Sequence, residues 1–333
     1  MKRIINFLKT DIKIINSYFL FTIVLIILVC IGYSSYALFS FTKTSNNVIE
    51  ATVGELKKSG TDTLIKLTDN TNDSGLYTIT HAKDTTLQIG NDKDITEYRY
   101  RGASPKNYVT FNNEVWRIIG IFPTDDGNGN IENRIKIVRN ESIGTKYWNT
   151  SGTNNWTAAS LQTELNGTYL TGLTSEAQSM IGDAKYYLGG YSIHDIQKDV
   201  MYQYERKIKN TTSNEFYYGT NPNSWTGKLG LMYVSDYGYA ASDECVKNLN
   251  NYDNTTCINN NWLFKRDSQW TLPQRAGDSS NSLAFSVDSS GGVSVNGFVY
   301  YYQFAARPVL YLTSSAKITG GSGTSSDPYT LGL

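Results

Sequence analysis

The sequence has little of what builds metal and redox centres: its 333 residues include only three cysteines and two histidines. Three cysteines exclude a disulfide-dense small scaffold and a zinc site made of several cysteines. His81 and His194 lie far apart, and neither has a cysteine or a second histidine nearby. The ligand spacing of a zinc site is therefore absent. We expect two hydrogen-bonded or solvent-exposed imidazoles, no bound metal and no cofactor.

The sequence also lacks an excess of either charge. Its 30 basic and 30 acidic side chains give a net charge of zero, and charged residues make up only 18% of the chain. A nucleic-acid partner would require a surplus of lysine and arginine, so none is expected. Apolar residues are abundant at 40%, and 25 residues are tyrosines. This balance predicts a folded protein with a core rather than a disordered chain.

One long apolar run lies near the N-terminus. Residues 14–42 carry no charged side chain, and four basic residues but only one acidic residue precede them. About 20 apolar residues are enough to cross a bilayer, and the basic side normally stays in the cytoplasm. The sequence predicts a cytoplasmic tail over 1–16, a transmembrane anchor over 17–42 that contacts the lipid bilayer, and an extracellular remainder. The protein would be a single-pass plasma membrane protein.

A cleaved signal peptide is the alternative, because Ser35-Tyr36-Ala37 resembles a cleavage site. The apolar core of a signal peptide usually has about 7–15 residues, which favours the uncleaved anchor. Both alternatives place residues 43–333 outside the cell. That part has 26 basic and 29 acidic side chains, so it has no polybasic patch for nucleic acid or anionic lipid.

Residues 43–95 are polar and rich in Thr, Asn, Asp and Lys. We predict a loosely packed stalk with weak strands there, and an ectodomain over 96–333. Within the ectodomain, the β-prone runs 114–122 and 134–138 flank the turn-forming segment 124–130, which predicts a hairpin. Residues 125–132, which include most of this turn, have oxygen-bearing side chains at alternate positions, as calcium loops do. Ile131 replaces the glycine that such a loop requires, so a hairpin tip is favoured.

Two short helices and a strand meander follow. Thr157 is expected to cap a helix over Ala158–Leu165, and Ser175 with Gln178 forms a capping box for a second helix. Asn296-Gly297 is a strong signal for a two-residue hairpin turn, and Ser289–Gly292 marks the turn before it. The β-prone segments of this region are Leu283–Val287, Val293–Val295, Phe298–Tyr302 and Pro308–Leu312. The predicted fold class is α+β, with two short helices beside a much-looped antiparallel sheet.

Three C-terminal segments follow one another in this order: Asn261-Trp-Leu263, then Gln269-Trp-Thr-Leu272, then Ala306-Arg-Pro-Val-Leu-Tyr-Leu312. This pattern resembles the C-type-lectin-like domain of bacterial membrane-anchored surface proteins. That group includes formylglycine-generating-enzyme-like domains and the variable proteins diversified by retroelements. Upstream, Tyr100–Val109 and Trp116–Gly120 resemble its opening strands. The resemblance implies a C-type-lectin-like fold over about 98–333 and an exposed display region after the tryptophan-bearing strand.

Cys245 and Cys257 flank a loop outside the predicted membrane segment. In an oxidising compartment the expected arrangement is a disulfide that closes this loop. The alternative is a redox-active or copper-binding pair, as the resemblance to true formylglycine-generating enzymes would allow. The protein would then be an extracytoplasmic oxidase or hydrolase.

Residues 277–304 have the composition of a contact surface, since 16 of the 28 are Ser, Gly, Asn or Tyr. Tyrosine supplies rigid contact area, and the small polar residues supply adaptable hydrogen bonds. Apolar and polar residues alternate there, which predicts one buried and one exposed face; an ordinary sheet with a polar outer face is the alternative. Four tryptophans, Trp116, Trp225, Trp262 and Trp270, are expected in the core. The candidate ligand-binding residues are Ser280, Asn281, Ser286, Asp288, Ser294, Asn296, Tyr300, Tyr301 and Tyr302.

These observations favour a cell-surface protein that binds an extracellular protein or glycan without catalysis. The alternatives are the extracytoplasmic enzyme and a structural protein of the envelope.

Overall fold

Sixteen short strands and six short α-helices make up the part of the chain that the computed structural model describes, which is residues 59–90, 92–208, 220–276 and 281–333. The strands are β1 (Leu76–His81), β2 (Ile95–Tyr100), β3 (Tyr108–Phe111), β4 (Glu114–Asp125), β5 (Ile131–Arg139), β6 (Thr145–Lys146), β7 (Ala184–Tyr187), β8 (Ser224–Gly227), β9 (Leu229–Gly230), β10 (Gln269–Gln274), β11 (Leu283–Val287), β12 (Val293–Phe298), β13 (Phe304–Ala305), β14 (Val309–Tyr311), β15 (Lys317–Gly320) and β16 (Thr330–Gly332). The α-helices are α1 (Gly60–Ile65), α2 (Ser160–Glu164), α3 (Ser175–Ser179), α4 (Lys198–Arg206), α5 (Val234–Tyr239) and α6 (Thr255–Asn259). Short 3₁₀ turns lie at Trp156–Ala158 and Leu249–Asn251, and a π-helical turn lies at Leu165–Tyr169.

Two sheets organise these elements. The larger has seven strands, in the order β1-β2-β4-β5-β14-β9, with β3 also paired to β4. The smaller has five strands, in the order β12-β11-β10-β13-β6. Neighbouring strands run antiparallel, except that β10 and β13 are parallel. The predicted α+β class is confirmed at this level: the described chain is rich in antiparallel sheet, with short helices beside it.

The predicted hairpin forms the centre of the larger sheet. Strand β4 pairs with β5 in antiparallel register from Trp116↔Arg139 to Asp125↔Ile131. At the tip, Asp125 Oδ1 accepts hydrogen bonds from the backbone amides of Gly127 (2.8 Å) and Gly129 (3.1 Å). These side-chain bonds to nearby amides are those of turn residues, as the favoured hairpin-tip interpretation requires.

The two predicted helices are present, but their starts differ from the prediction. Asn155, not Thr157, caps the 3₁₀ turn, and α2 begins only at Ser160. For α3, the Thr174 hydroxyl accepts from the Ala177 amide at 3.2 Å, so the cap lies one residue before the predicted capping box. Helices α4, α5 and α6 were not predicted at all.

The predicted C-terminal meander is confirmed, except for the turn predicted at Asn296-Gly297 and the strand predicted after it. Strand β11 and the turn at Ser289–Gly292 lie where expected, but Asn296-Gly297 lies inside β12. A Cβ atom at position 297 would stand 2.5 Å from Cζ3 of Trp270, so glycine is required there by close packing rather than by a turn. The chain turns after Phe298 instead, and the predicted strand over Phe298–Tyr302 is absent.

Residues 59–95, which the sequence analysis assigns to a stalk, contribute α1 and β1 to the compact unit that the described chain forms. Gly60 donates its amide hydrogen to the Ala316 carbonyl at 2.8 Å, and β1 pairs with β2 along its whole length. Leu64 and Leu76 are buried. In the described chain, the unit therefore begins at residue 59 rather than at 96.

The predicted anchor over 17–42 and the tail over 1–16 lie outside the described residues. Among the helices that are described, none has the length and apolar character needed to span a bilayer.

Strands β4 and β5 are buried on both faces over most of their length, and the core is built around them. Of the four tryptophans expected in the core, Trp116, Trp262 and Trp270 are buried and Trp225 is half-buried. Each of these four therefore packs in or against the core, as expected.

Candidate ligand-binding face

A tight turn after β12 presents three consecutive tyrosines to solvent. The amides of Tyr301 and Tyr302 both donate to the Phe298 carbonyl, at 3.2 and 3.1 Å. Val299 is fully buried, and its amide donates to the Ser282 carbonyl at 3.0 Å. One buried residue thus fixes the turn, and the residues on both sides of it point outward.

Four exposed rings and one half-buried ring form a connected group, which we call the aromatic platform: Phe298, Tyr300, Tyr301 and Tyr302 are exposed, and Phe304 is half-buried. The rings of Tyr302 and Phe304 are stacked, with centroids 5.2 Å apart and an interplanar angle of 11°. Tyr301 packs edge-on against Tyr302 at 5.1 Å, and Phe298 lies 6.2 Å from Tyr300. Such aromatic pairs hold one another in place in addition to burying area.

The platform is anchored in the core. Phe304 packs on the buried Trp270 at 4.6 Å between ring centroids, and the Trp270 indole donates to the Lys146 carbonyl at 2.7 Å. Tyr301 is nevertheless 71% exposed, and Tyr300 is 48% exposed. Large apolar rings that are rigidly supported and still face water are typical of binding surfaces.

Two of the predicted polar residues share the platform's side of β12. Along β12 buried residues alternate with Ser294, which is half-buried, and with Asn296 and Phe298, which are exposed, so these three lie on its outer side. Asn296 is exposed, and its Oδ1 accepts from Arg275 Nη1 at 3.2 Å. The alternation expected for Val293–Val295 is present, because both valines are buried.

The remaining predicted contact residues are divided. Asn281 is exposed, and its carbonyl accepts from the Asn154 amide at 2.6 Å. Ser286 is only 1% exposed, and the other four residues of β11 are also buried. Ser286 is therefore not part of the exposed face, and the expected alternation fails on that strand. Ser280 lies outside the described residues.

Asp288 lies at the turn between β11 and β12 and is half-buried. Burial raises the pKa of Asp288, and nearby His194 lowers it by a smaller amount. Burial in turn lowers the pKa of His194. Asp288 and His194 therefore interact electrostatically. The sequence analysis did not predict this interaction, because the two residues are far apart in the sequence.

Cys245 and Cys257 are joined in a disulfide, as predicted. Both are buried, and Cys257 lies in α6. The bond closes the loop between them and leaves neither sulfur as a free thiol. Across the described ranges, no cluster of three His, Cys, Asp or Glu side chains is placed to hold a metal ion.

An open cleft of about 640 Å³ lies between the end of β1 and α4. His81 borders it, with its ring stacked on Tyr202 at 3.7 Å between centroids. His81 Nε2 and Glu97 Oε2 are 3.3 Å apart, and the Tyr202 hydroxyl donates to the other oxygen of Glu97 at 2.9 Å. His81 is thus a partnered imidazole, as expected.

Behind this cleft lies a feature that the sequence analysis missed entirely. Six ionisable side chains, three of each sign, are buried together; we call them the core ion cluster. Its members are Glu97, Arg99, Lys136, Glu205, Arg206 and Asp236. Arg99 joins two of its acids, with Nε 2.9 Å from Glu97 Oε2 and Nη1 2.9 Å from Asp236 Oδ1. One sequence signal existed: Lys136 stands between two isoleucines in a strand predicted to be central.

Comparison with family models, with curated proteins and with solved structures found no match for this chain.

Proposed function

We propose that the protein is a membrane-anchored, cell-surface protein that binds an extracellular protein or glycan through the aromatic platform, without catalysis. The proposal includes the anchor over 17–42, the plasma membrane location with an extracellular C-terminal unit, and a C-type-lectin-like ectodomain. The resemblance of the C-terminal segments to bacterial surface proteins supports the last of these. The long uncharged run near the N-terminus supports the first two.

The observation that carries the proposal is the exposed group of supported rings at the turn after β12. Phe298, Tyr300, Tyr301 and Tyr302 are each at least 39% exposed, yet each contacts another ring of the platform. Residues of this kind lose little entropy on binding and dominate the energy of many interfaces. A sheet edge with only a structural role has no need to expose four aromatic rings side by side.

The test uses a soluble 44–333 fragment, which contains every described residue. The fragment is applied to a printed glycan array and to an array of purified extracellular proteins. We expect Tyr301→Ala to weaken the binding seen on either array at least tenfold, because an aromatic hot spot contributes about 2 kcal/mol or more. The thermal unfolding midpoint of the Tyr301→Ala fragment should equal that of the unchanged fragment, since the Tyr301 side chain is mostly exposed.

Ile131→Ala and Val246→Ala are the matched controls. Both remove exposed apolar side chains, at 49% and 74% exposure, outside the platform: Ile131 is the first residue of β5 and Val246 lies in a loop. Neither should alter binding. Absence of any partner on both arrays would contradict the proposal, and so would binding that is insensitive to Tyr301→Ala and to the Tyr300–Tyr302 triple alanine variant.

The enzyme alternative depends on a free thiol pair or a metal. The disulfide between Cys245 and Cys257 makes thiol titration of the unreduced, denatured fragment a direct check. We expect no free thiol, because the third cysteine, Cys30, is not in the fragment. Two free thiols would favour the enzyme.

A further inference from the structure

Lys136 and Asp236 are oppositely charged residues that meet in the core although 100 positions separate them in the sequence. Lys136 lies on β5 at the centre of the larger sheet, and Asp236 lies in the first turn of α5. Both are buried, with 0% and 1% exposure. Lys136 Nζ lies 2.5 Å from Asp236 Oδ2.

Aromatic rings surround the lysine amine. Its Nζ lies 4.2 Å from the ring centroid of Tyr233, 5.3 Å from that of Tyr311 and 5.5 Å from that of Phe122. Burial lowers the pKa of Lys136 to about 8, although Asp236 acts in the opposite direction. A lysine in such surroundings gives up its proton more easily than an exposed lysine, and its neutral amine is a nucleophile.

The carboxyl group of Asp236 is held by donors on both oxygens. Arg99 Nη1 donates to Oδ1 at 2.9 Å, and the Tyr233 backbone amide donates to Oδ2 at 2.9 Å. Donors fixed in this way stabilise the negative charge that develops on a carboxyl oxygen when a nucleophile attacks its carbon. The pair therefore has an amine, a polarised carboxyl group and an environment from which water is excluded.

From this geometry we propose that Lys136 and Asp236 form an intramolecular amide bond, which covalently links β5 to α5. Against the effect of burial, Lys136 and Arg99 hold the pKa of Asp236 below its ordinary value, so the first step is uphill: the ammonium passes one proton to Oδ2, giving a neutral amine and a carboxylic acid. Nζ then attacks Cγ, a second proton leaves Nζ for the departing hydroxyl, and the C–O bond breaks. The products are an amide and one water molecule, so the step needs no oxidant, reductant or further reactant.

The charge balance of the core ion cluster is compatible with this bond. The cluster has three acids and three bases, and the amide removes one charge of each sign. Arg99 keeps Glu97 as its partner, with Nη2 2.8 Å from Oε2. Arg206 keeps Glu205, at 2.9 Å. No charge is left unpaired by the reaction, so the reaction does not incur the cost of isolating a buried ion.

Peptide mapping of the purified, reduced and denatured chain with trypsin tests the proposal. Without the bond, trypsin cleaves after Lys136 and also releases the linear peptide 229–247, which contains Asp236. With the bond, Lys136 is not cleaved. The peptide 135–139 then appears joined to 229–247, with the summed mass less one water molecule. The branched peptide as the main species supports the proposal, and the two linear products as the main species overturn it.

Lys146 and Glu164 supply the matched control within the same digest. Their Nζ and Oε1 atoms are also 2.5 Å apart, but both side chains are about one-third exposed to water. We expect the peptides of that pair to remain linear. In Lys136→Met, peptide 229–247 should be fully linear, because the amine that would form the bond is missing. This result does not depend on whether the variant folds, since the peptides are mapped in denatured protein. A branched species that persists in Lys136→Met would overturn the assignment to this lysine.

Discussion

Glu97 is a carboxylate in a place that water does not reach. Its two oxygens accept from Tyr202 and from Arg99, and His81 lies within hydrogen-bonding distance. Burial by itself would raise the pKa of Glu97, but Arg99 and the hydrogen bond from His81 more than offset this effect. The pKa of Glu97 is therefore well below its ordinary value, and the folded protein keeps this group ionised.

The stability of the fold should consequently fall in acid. Since the pKa of Glu97 is lowered on folding, the unfolded chain binds more protons as the pH drops through the ordinary glutamate value of about 4.3. The contribution of Glu97 is fully present above that pH and is lost below it. Glu97→Gln should reduce the unfolding free energy at pH 7 by about 3–5 kcal/mol and flatten the decline below pH 5. Urea unfolding at a series of pH values measures both effects.

Glu176→Gln is the control for this prediction, because Glu176 is exposed on α3. Its effect should stay within about 0.5 kcal/mol at pH 7. If Glu97→Gln unfolds with the same acid dependence as the unchanged protein, the lowered pKa of Glu97 is wrong.

Apart from Lys136 between two isoleucines, nothing in the sequence pointed to the core ion cluster. Glu97 and Arg99 alternate with Tyr98 and Tyr100 along β2, a pattern that usually indicates a solvated strand face. Both charged residues are instead covered, because Tyr202 of α4 and Asp236 of α5 contact them. Since neither helix was predicted, nothing in the sequence analysis could show what covers this face.

At the level of helices and strands, the prediction was correct where the local sequence was compatible with only one structure. The β4–β5 hairpin follows from its alternation and its turn residues. The start of α3 was predicted one residue late, because Thr174 and Ser175 can both act as caps. Asn296-Gly297 misled for a different reason: its glycine is required by the packing of Trp270 on β10, two strands away in the same sheet, which only the fold reveals.

Gly297→Ala tests that explanation. The added methyl group would meet Cζ3 of Trp270 at 2.5 Å and the Ala284 carbonyl oxygen at 2.8 Å. We expect a loss of about 1–3 kcal/mol in unfolding free energy, as for other overpacked cores, together with a changed near-ultraviolet tryptophan signal. Denaturant unfolding and near-ultraviolet circular dichroism provide the measurements.

Gly167→Ala is the control glycine, since it lies in a helical turn with open space where its Cβ would be. Alanine there should be neutral or stabilising by up to about 1 kcal/mol. Equal effects at positions 167 and 297 would contradict the packing argument.

At the scale of the whole molecule, the boundary of the folded unit is the main difference from the sequence analysis. Residues 59–95 look like a stalk because their few apolar side chains are scattered among polar ones. Leu64, Leu76 and Ile95 are nevertheless buried in the core, and the last two belong to strands of the larger sheet. Scattered apolar residues suffice here because the rest of the fold supplies the other side of each contact, which composition cannot show.

Leu64→Ala should therefore behave as a core substitution and lower the unfolding free energy by about 2–5 kcal/mol. Leu67→Ala, three positions on, removes a side chain that is 51% exposed and should change it by less than about 0.5 kcal/mol. Thermal or urea unfolding of the two variants decides the matter. Similar small losses of unfolding free energy for both variants would support the stalk prediction instead.

The two ends of the described unit lie side by side. Gly60 is hydrogen-bonded to Ala316, and the next residue, Lys317, pairs with Gly332 at the C-terminus. A fluorescent protein fused after Leu333 would consequently report from the point where the chain enters the unit.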